Sequence, residues 1–163
     1  MRKITLHESN SFFKELFQDW ALVAAKVDDK MNAMTISWGG IGYMWNKPVF
    51  YCVIRPQRYT KSLVDKADMF SISFLKDEFH NQHKYFGTVS GAKEDKIATS
   101  GMEIEYCLDT PYFVDSKKVY ICKKMFAQAF DPENFIQKEH IMKLYKEDYH
   151  TMYIGEIVEI LEE

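Results

Sequence analysis

Apolar residues fall in short runs separated by polar or glycine-rich punctuation, a pattern that predicts strands rather than long helices. Trp20 to Val27 is rich in Ala and Val, Asp28-Asp29-Lys30 forms a polar turn, and Met31 to Trp38 reads as a second strand. Gly39-Gly40-Ile41-Gly42 predicts a loop, and Pro48 leads into a third strand, Val49 to Ile54. Met69 to Leu75 alternates, with Phe70, Ile72 and Phe74 on one face and Met69, Ser71 and Ser73 on the other. Met102 to Leu108 and Lys117 to Phe130 also read as extended, the second long enough to bend across a barrel corner. Thr151 to Leu161 is the last predicted strand.

Helical signals are short. Ser9 or Asn10 is the expected cap of a helix reaching Phe17, and Thr60 the expected cap of one over Lys61 to Ala67. Lys76 to Gly91 is a polar and aromatic segment. Lys93 to Ala98 reads as helical and ends at Ser100-Gly101, and Pro132 to Lys146 holds a further helix. Most gaps between strands are too short for a helical crossover, which favours an antiparallel arrangement. No internal repeat, linker, GxGxxG or Walker sequence interrupts residues 1–163. The expectation is a single, mainly β domain with short α-helices, drawn as one closed, largely antiparallel barrel with helices at its ends.

Charge and cysteine usage narrow the function. A net charge of −3 provides no global field for a polyanion, so a nucleic-acid partner is not expected. Cys52, Cys107 and Cys122 are odd in number and widely spaced, which argues against a disulfide framework, an iron–sulfur cluster or a zinc knot. No run reaches membrane-spanning length and the first residues lack a signal-peptide pattern, so the expected location is cytoplasmic. Twelve Phe, ten Tyr and three Trp are an unusual share; filling the core is one reading of them, and lining a planar ligand or a subunit interface is the functional one.

Three segments concentrate polar groups near strand ends. In Asn32-Ala33-Met34-Thr35-Ile36-Ser37-Trp38, one strand face carries an amide, a thioether and an indole, which suits a flat heteroaromatic ligand. A packed barrel face is the alternative from composition alone. In Arg55-Pro56-Gln57-Arg58-Tyr59-Thr60-Lys61, two arginines precede a helix start, where guanidinium forks and free N–H groups together suit a phosphomonoester. A solvated basic turn is the alternative there. In Phe86 to Lys96, Gly87 and Gly91 permit close backbone approach, and Ser90 and Lys96 offer donors. Among the histidines, His150 is the candidate catalytic group, placed just before the last strand. His80 and His83 lack a third ligand nearby, so no metal site is expected.

Taken in order, Asn32-x-Met34-Thr35-x-Ser37-Trp38, Pro48, Arg55-x-x-Arg58-Tyr59-Thr60, Ser90-Gly91-x-x-x-Asp95-Lys96 and His150-x-x-Tyr153-x-Gly155-Glu156 resemble the flavin reductase-like family with the FMN-binding split barrel, its flavoredoxin-type members in particular. The resemblance implies a homodimer holding one non-covalent FMN per subunit. It places Asn32, Ala33, Met34, Thr35, Ser37 and Trp38 along the ring and Arg55, Arg58, Tyr59, Thr60 and Lys61 at the phosphate. Ser90 and Lys96 then close over the flavin. It also implies NAD(P)H-dependent flavin reduction, or electron transfer with a redox protein by bound FMN. Trp38, Tyr43, Met44 and Trp45 are expected to form an aromatic loop over the ring. The competing readings are a non-enzymatic ligand- or protein-binding barrel, a single-stranded nucleic acid binder, and a pyridoxamine-phosphate-oxidase-like or haem-binding split barrel.

Overall fold

A computed structural model describes residues 12–163. The expected helix start at Ser9 or Asn10 lies outside them. A short helix α1 (Phe12–Lys14) widens into a further turn, Glu15–Asp19. The strands are β1 (Ala21–Val27), β2 (Lys30–Ile36), β3 (Gly39–Met44), β4 (Lys47–Ile54), β5 (Met69–Leu75), β6 (Ile104–Cys107), β7 (Thr110–Phe113), β8 (Ser116–Ala129) and β9 (Thr151–Glu162). The other helices are α2 (Tyr59–Lys66), α3 (His80–Thr88), α4 (Lys96–Ser100) and α5 (Lys138–Ile141).

Seven strands form one sheet in the order β2-β1-β5-β8-β9-β4-β3, and β6-β7 is a separate hairpin. Every pairing is antiparallel. Among the described residues no ladder joins β2 to β3, so the barrel is split along that seam, as the family resemblance implies, and not closed as the strand pattern alone suggests.

The run Ala21-Leu22-Val23-Ala24-Ala25 lacks alternation because β1 is buried on both faces. Ala21, Val23 and Ala25 enter the main core with Phe50, Phe70, Ile72 and Phe74. Leu22 and Ala24 enter a second core with Ala33, Phe86 and Phe113. Ser71 and Ser73 on β5, expected on the face away from the core, are sealed under the β6–β7 hairpin. The Ser71 hydroxyl donates to the Pro111 carbonyl at 2.6 Å, and Ser73 Oγ accepts from the Phe113 N–H at 3.4 Å. Gly155 on β9 is a close approach: a Cβ there would lie 2.8 Å from Cys122 Cβ and 2.9 Å from the Phe70 ring.

Four segments differ from expectation. The Gly39 to Gly42 segment is not a loop: it pairs with β4 from Gly39↔Cys52 to Met44↔Lys47 as an edge strand. The Lys76 to Gly91 segment contains α3, and the Met102 to Leu108 strand turns back at Leu108-Asp109 to form β7. The Pro132 to Lys146 helix reduces to short turns and α5. Among the described residues, no helix is long and apolar enough to cross a membrane.

Candidate functional site

Because β2 is an edge strand, one side of its backbone N–H and C=O groups has no strand partner. Beside it opens a cleft of about 360 Å³. Met34 to Trp38 form one wall; Val53, Arg55, Gln57 and Arg58 form the next, with Gly87 of α3 and His150 completing the rim. Helix α3 covers part of the β2 edge, where the Thr35 hydroxyl donates to the His83 carbonyl at 2.6 Å.

The cations behave differently from one another. Arg55 is committed: it pairs with Asp148, donates to the Leu144 carbonyl at 2.9 Å and lies 5.3 Å over the Tyr145 ring. Asp148 also accepts from the Lys146 N–H and from Gln57, and these bonds hold its carboxyl well below the usual range. Arg58 instead donates to the Gly87 carbonyl at 2.6 Å, and Lys96 to the Phe86 carbonyl at 3.2 Å. Both therefore cap the C-terminal turn of α3, whose dipole favours positive charge. Among the described residues neither has a carboxylate partner. Lys96 is buried; its ammonium is pushed down to about 8 by that burial and then by the nearby Arg58. Burial and then Arg55 lower the Arg58 pKa in the same direction.

His150 Nδ1 lies 2.9 Å from the Tyr145 hydroxyl, and its ring centroid 5.0 Å from that of Trp38. Burial and then Arg55 push it down to about 4, against the opposing pull of Asp148. The histidine is uncharged at neutral pH.

A second depression of about 670 Å³ lies along β2 beyond the cleft, bordered by Asn32, Tyr59, Gly91 and Lys96. The structure thus gathers Met34, Thr35, Ser37, Trp38, Arg55, Arg58 and His150 around the cleft, and Asn32, Tyr59 and Lys96 around its neighbour. Four candidates sit elsewhere. Ala33 is in the second core. Thr60 does not cap α2; it accepts from Asn32 Nδ2 at 2.8 Å, a buried bond, and no side chain caps the helix. Lys61 pairs with Asp65 at 2.8 Å. Ser90 accepts from the Ala92 N–H within its own turn and lines neither depression.

The aromatic loop also resolves differently. Trp38 is in the cleft wall, but Tyr43, Met44 and Trp45 are carried away along β3 to its turn, where Trp45 packs 6.1 Å from Phe126. Sequence reading named Gly87 and the segment holding Gln57, and missed Tyr145 and Asp148. The one available cue was a carboxylate two residues ahead of His150.

The sequence profile described as "flavin reductase like domain" matches residues 14–163. The chain belongs to that family. This family membership supports a flavin-binding, oxidoreductase-type function. Among curated proteins, none matches the chain. Solved structures of similar shape include a flavoredoxin from Methanosarcina acetivorans, with TM-score 0.70, 20% identity, and coverage of 100% of this chain and 76% of that one. An FMN-binding protein from Thermus thermophilus with bound 1-cyclohex-2-enone gives TM-score 0.69 at 22% identity, over 88% of this chain and 69% of that one. A flavoredoxin from Desulfovibrio vulgaris (Miyazaki F) gives 0.67 at 22%, over 88% and 68%. At these identities the likeness establishes the shared split-barrel fold.

Proposed function

We propose that this flavin reductase-like protein binds FMN and exchanges electrons through it, taking them from NAD(P)H or from a redox protein. The observation that carries the reading is the pair Arg58 and Lys96. Two cations, one buried and one partly so, whose partners among the described residues are helix carbonyls leave a demand for an anion between the cleft and the neighbouring depression along an unpaired strand edge. Buried charges are ordinarily paired, and a phosphomonoester meets that demand. A 360 Å³ cleft is at the small end of ligand cavities and fits a planar ring system.

In this reading Arg58 and Lys96 hold the phosphate, the uncapped N-terminus of α2 assists, and the backbone of β2 meets the polar edge of the ring. The flavin supplies the electron and hydride chemistry when bound; the chain binds, orients and excludes water. Trp38 governs how near a nicotinamide can come. The purified protein is expected to be yellow, with a flavin spectrum and a ligand released on denaturation that is identified as FMN. A colourless protein that refuses added FMN would defeat the proposal and restore the non-enzymatic barrel.

The homodimer belongs to the same proposal. Edge strand β3 and its surroundings expose Tyr43 (74%), Trp45 (53%), Ile41 (42%) and Phe17 (73%), an apolar surface of the kind that interfaces use. Sedimentation at micromolar concentration should show twice 19.3 kDa. A species of 19.3 kDa alone would remove the dimer and leave the flavin site standing.

A further inference from the structure

The segment between β8 and β9 is fastened over the His150 end of the cleft. Phe135 and Tyr145 stack within it at 5.9 Å and 11°. Asp148 ties it to Arg55 and Gln57, and Glu147 beside it takes a positive φ of 61°. A non-glycine residue held in that region is strained, and it persists because its neighbours are pinned. The clasp sets the Tyr145 hydroxyl 2.9 Å from His150 Nδ1.

That contact bears on where the imidazole proton sits. Among the described residues the Tyr145 hydroxyl has no other partner, so its hydrogen is free to go to Nδ1, which accepts in that arrangement. A neutral imidazole carries one N–H, and it is then at Nε2. Nε2 makes no hydrogen bond among the described residues, yet it is not among the buried polar atoms sealed without a partner, whereas His83 Nδ1 is. His150 lines the cleft, and Nε2 is its ring nitrogen left without a partner among the described residues.

We infer that Tyr145 is a positioning residue, fixing His150 in the tautomer that presents Nε2–H to the cleft as a donor to an acceptor atom of the bound molecule. The acceptor is a carbonyl oxygen or ring nitrogen of the flavin or of its reaction partner, and in that clause the inference rests on the proposed function. The charged and titratable groups facing the ring are Arg55 from the end of β4 and Asp148 and Tyr145 from the clasped segment. Trp38 on the remaining side is uncharged. Burial and Arg55 outweigh Asp148, so the imidazole stays neutral at pH 7 and is a hydrogen-bond donor rather than an acid.

Two-bond proton–nitrogen correlation spectra of the full chain, labelled with ¹⁵N-histidine and free of flavin, read the tautomer directly. At pH 7 His150 should show one pyridine-like Nδ1 and one protonated Nε2. Tyr145→Phe should move the tautomer ratio about tenfold towards Nδ1–H while the amide spectrum is retained. An Nδ1–H or charged ring in the wild type overturns the inference, and that measurement stands even where the variant does not fold. An unmoved ratio in a folded Tyr145→Phe overturns it as well. Adding FMN should shift the Nε2–H resonance; if FMN binds and the resonance stays put, the donor role fails. A separate absorbance titration showing no FMN binding would defeat the flavin reading and leave the Tyr145–His150 result intact.

Discussion

Replacing Lys96 with methionine should raise the stability of the flavin-free protein and weaken its hold on FMN, two effects of opposite sense from one change. The ammonium of Lys96 is buried with a single carbonyl acceptor and a neighbouring guanidinium. Its pKa falls from 10.5 in the unfolded chain to about 8 in the fold. Between those values the unfolded chain binds the extra proton, so stability increases as pH rises from about 8 to 10.5, and the full cost is present below 8. Exchanging a buried charge for an apolar side chain of similar volume commonly stabilises by about 1–4 kcal/mol, the range expected here at pH 7. The gain should vanish above pH 10.5, where both the folded and unfolded wild-type chains carry a neutral amine. FMN affinity should fall about ten- to hundredfold with the loss of one charge-assisted hydrogen bond. Denaturant titrations at pH 7 and 11, with and without FMN, measure all of this. A variant less stable than wild type without flavin would show that Lys96 is a structural strut of α3 instead.

Arg58→Ala separates the phosphate from the ring. The Arg58 fork reaches the Gly87 carbonyl with one nitrogen, and Arg58 lines the cleft. Its loss should weaken FMN about ten- to hundredfold and leave riboflavin, which has no phosphate, almost unchanged. It also removes the smaller of the two causes that depress Lys96, burial being the larger, so the Lys96 pKa in this variant should rise part of the way towards 10.5. Paired calorimetric titrations with FMN and riboflavin give the comparison. Equal weakening of the two ligands would place the phosphate elsewhere.

Sequence patterning resolved the strands that alternate or run continuously apolar, because burial imposes those periods directly. It was weakest where tertiary contact overrides local preference. The Gly39 to Gly42 stretch reads as a loop by composition, yet it pairs along all of β3 because Gly39 and Gly40 let Tyr51 of β4 lie against them. The β6–β7 hairpin escaped detection because Leu108-Asp109, both at positive φ, is not a sequence that favours such a turn. At the site, the paired arginines were legible as cations, but their different fates were not. Arg55 is neutralised by Asp148, distant in sequence, and only the fold reveals that Arg58 and Lys96, side by side at the site, have no carboxylate partner among the described residues. Likewise Thr60 looked like a cap, and its use by Asn32 depends on β2 crossing the start of α2.

Strand β9 sits between β8 and β4, pairing along Lys118 to Ala129 on one side and Val49 to Ile54 on the other. It also follows every other strand of this sheet in the chain. Until residues 151–162 have left the ribosome, β4 and β3 have no ladder to the rest of the sheet, and the inner rims of β4 and β8 stay open. Non-local pairing of this kind is slow and leaves strand edges open to other chains in the interval. Nascent chains of this protein therefore carry two half-sheets that can associate wrongly, and prompt emergence of residues 151–162, or a chaperone over those rims, governs how much of it reaches the native state.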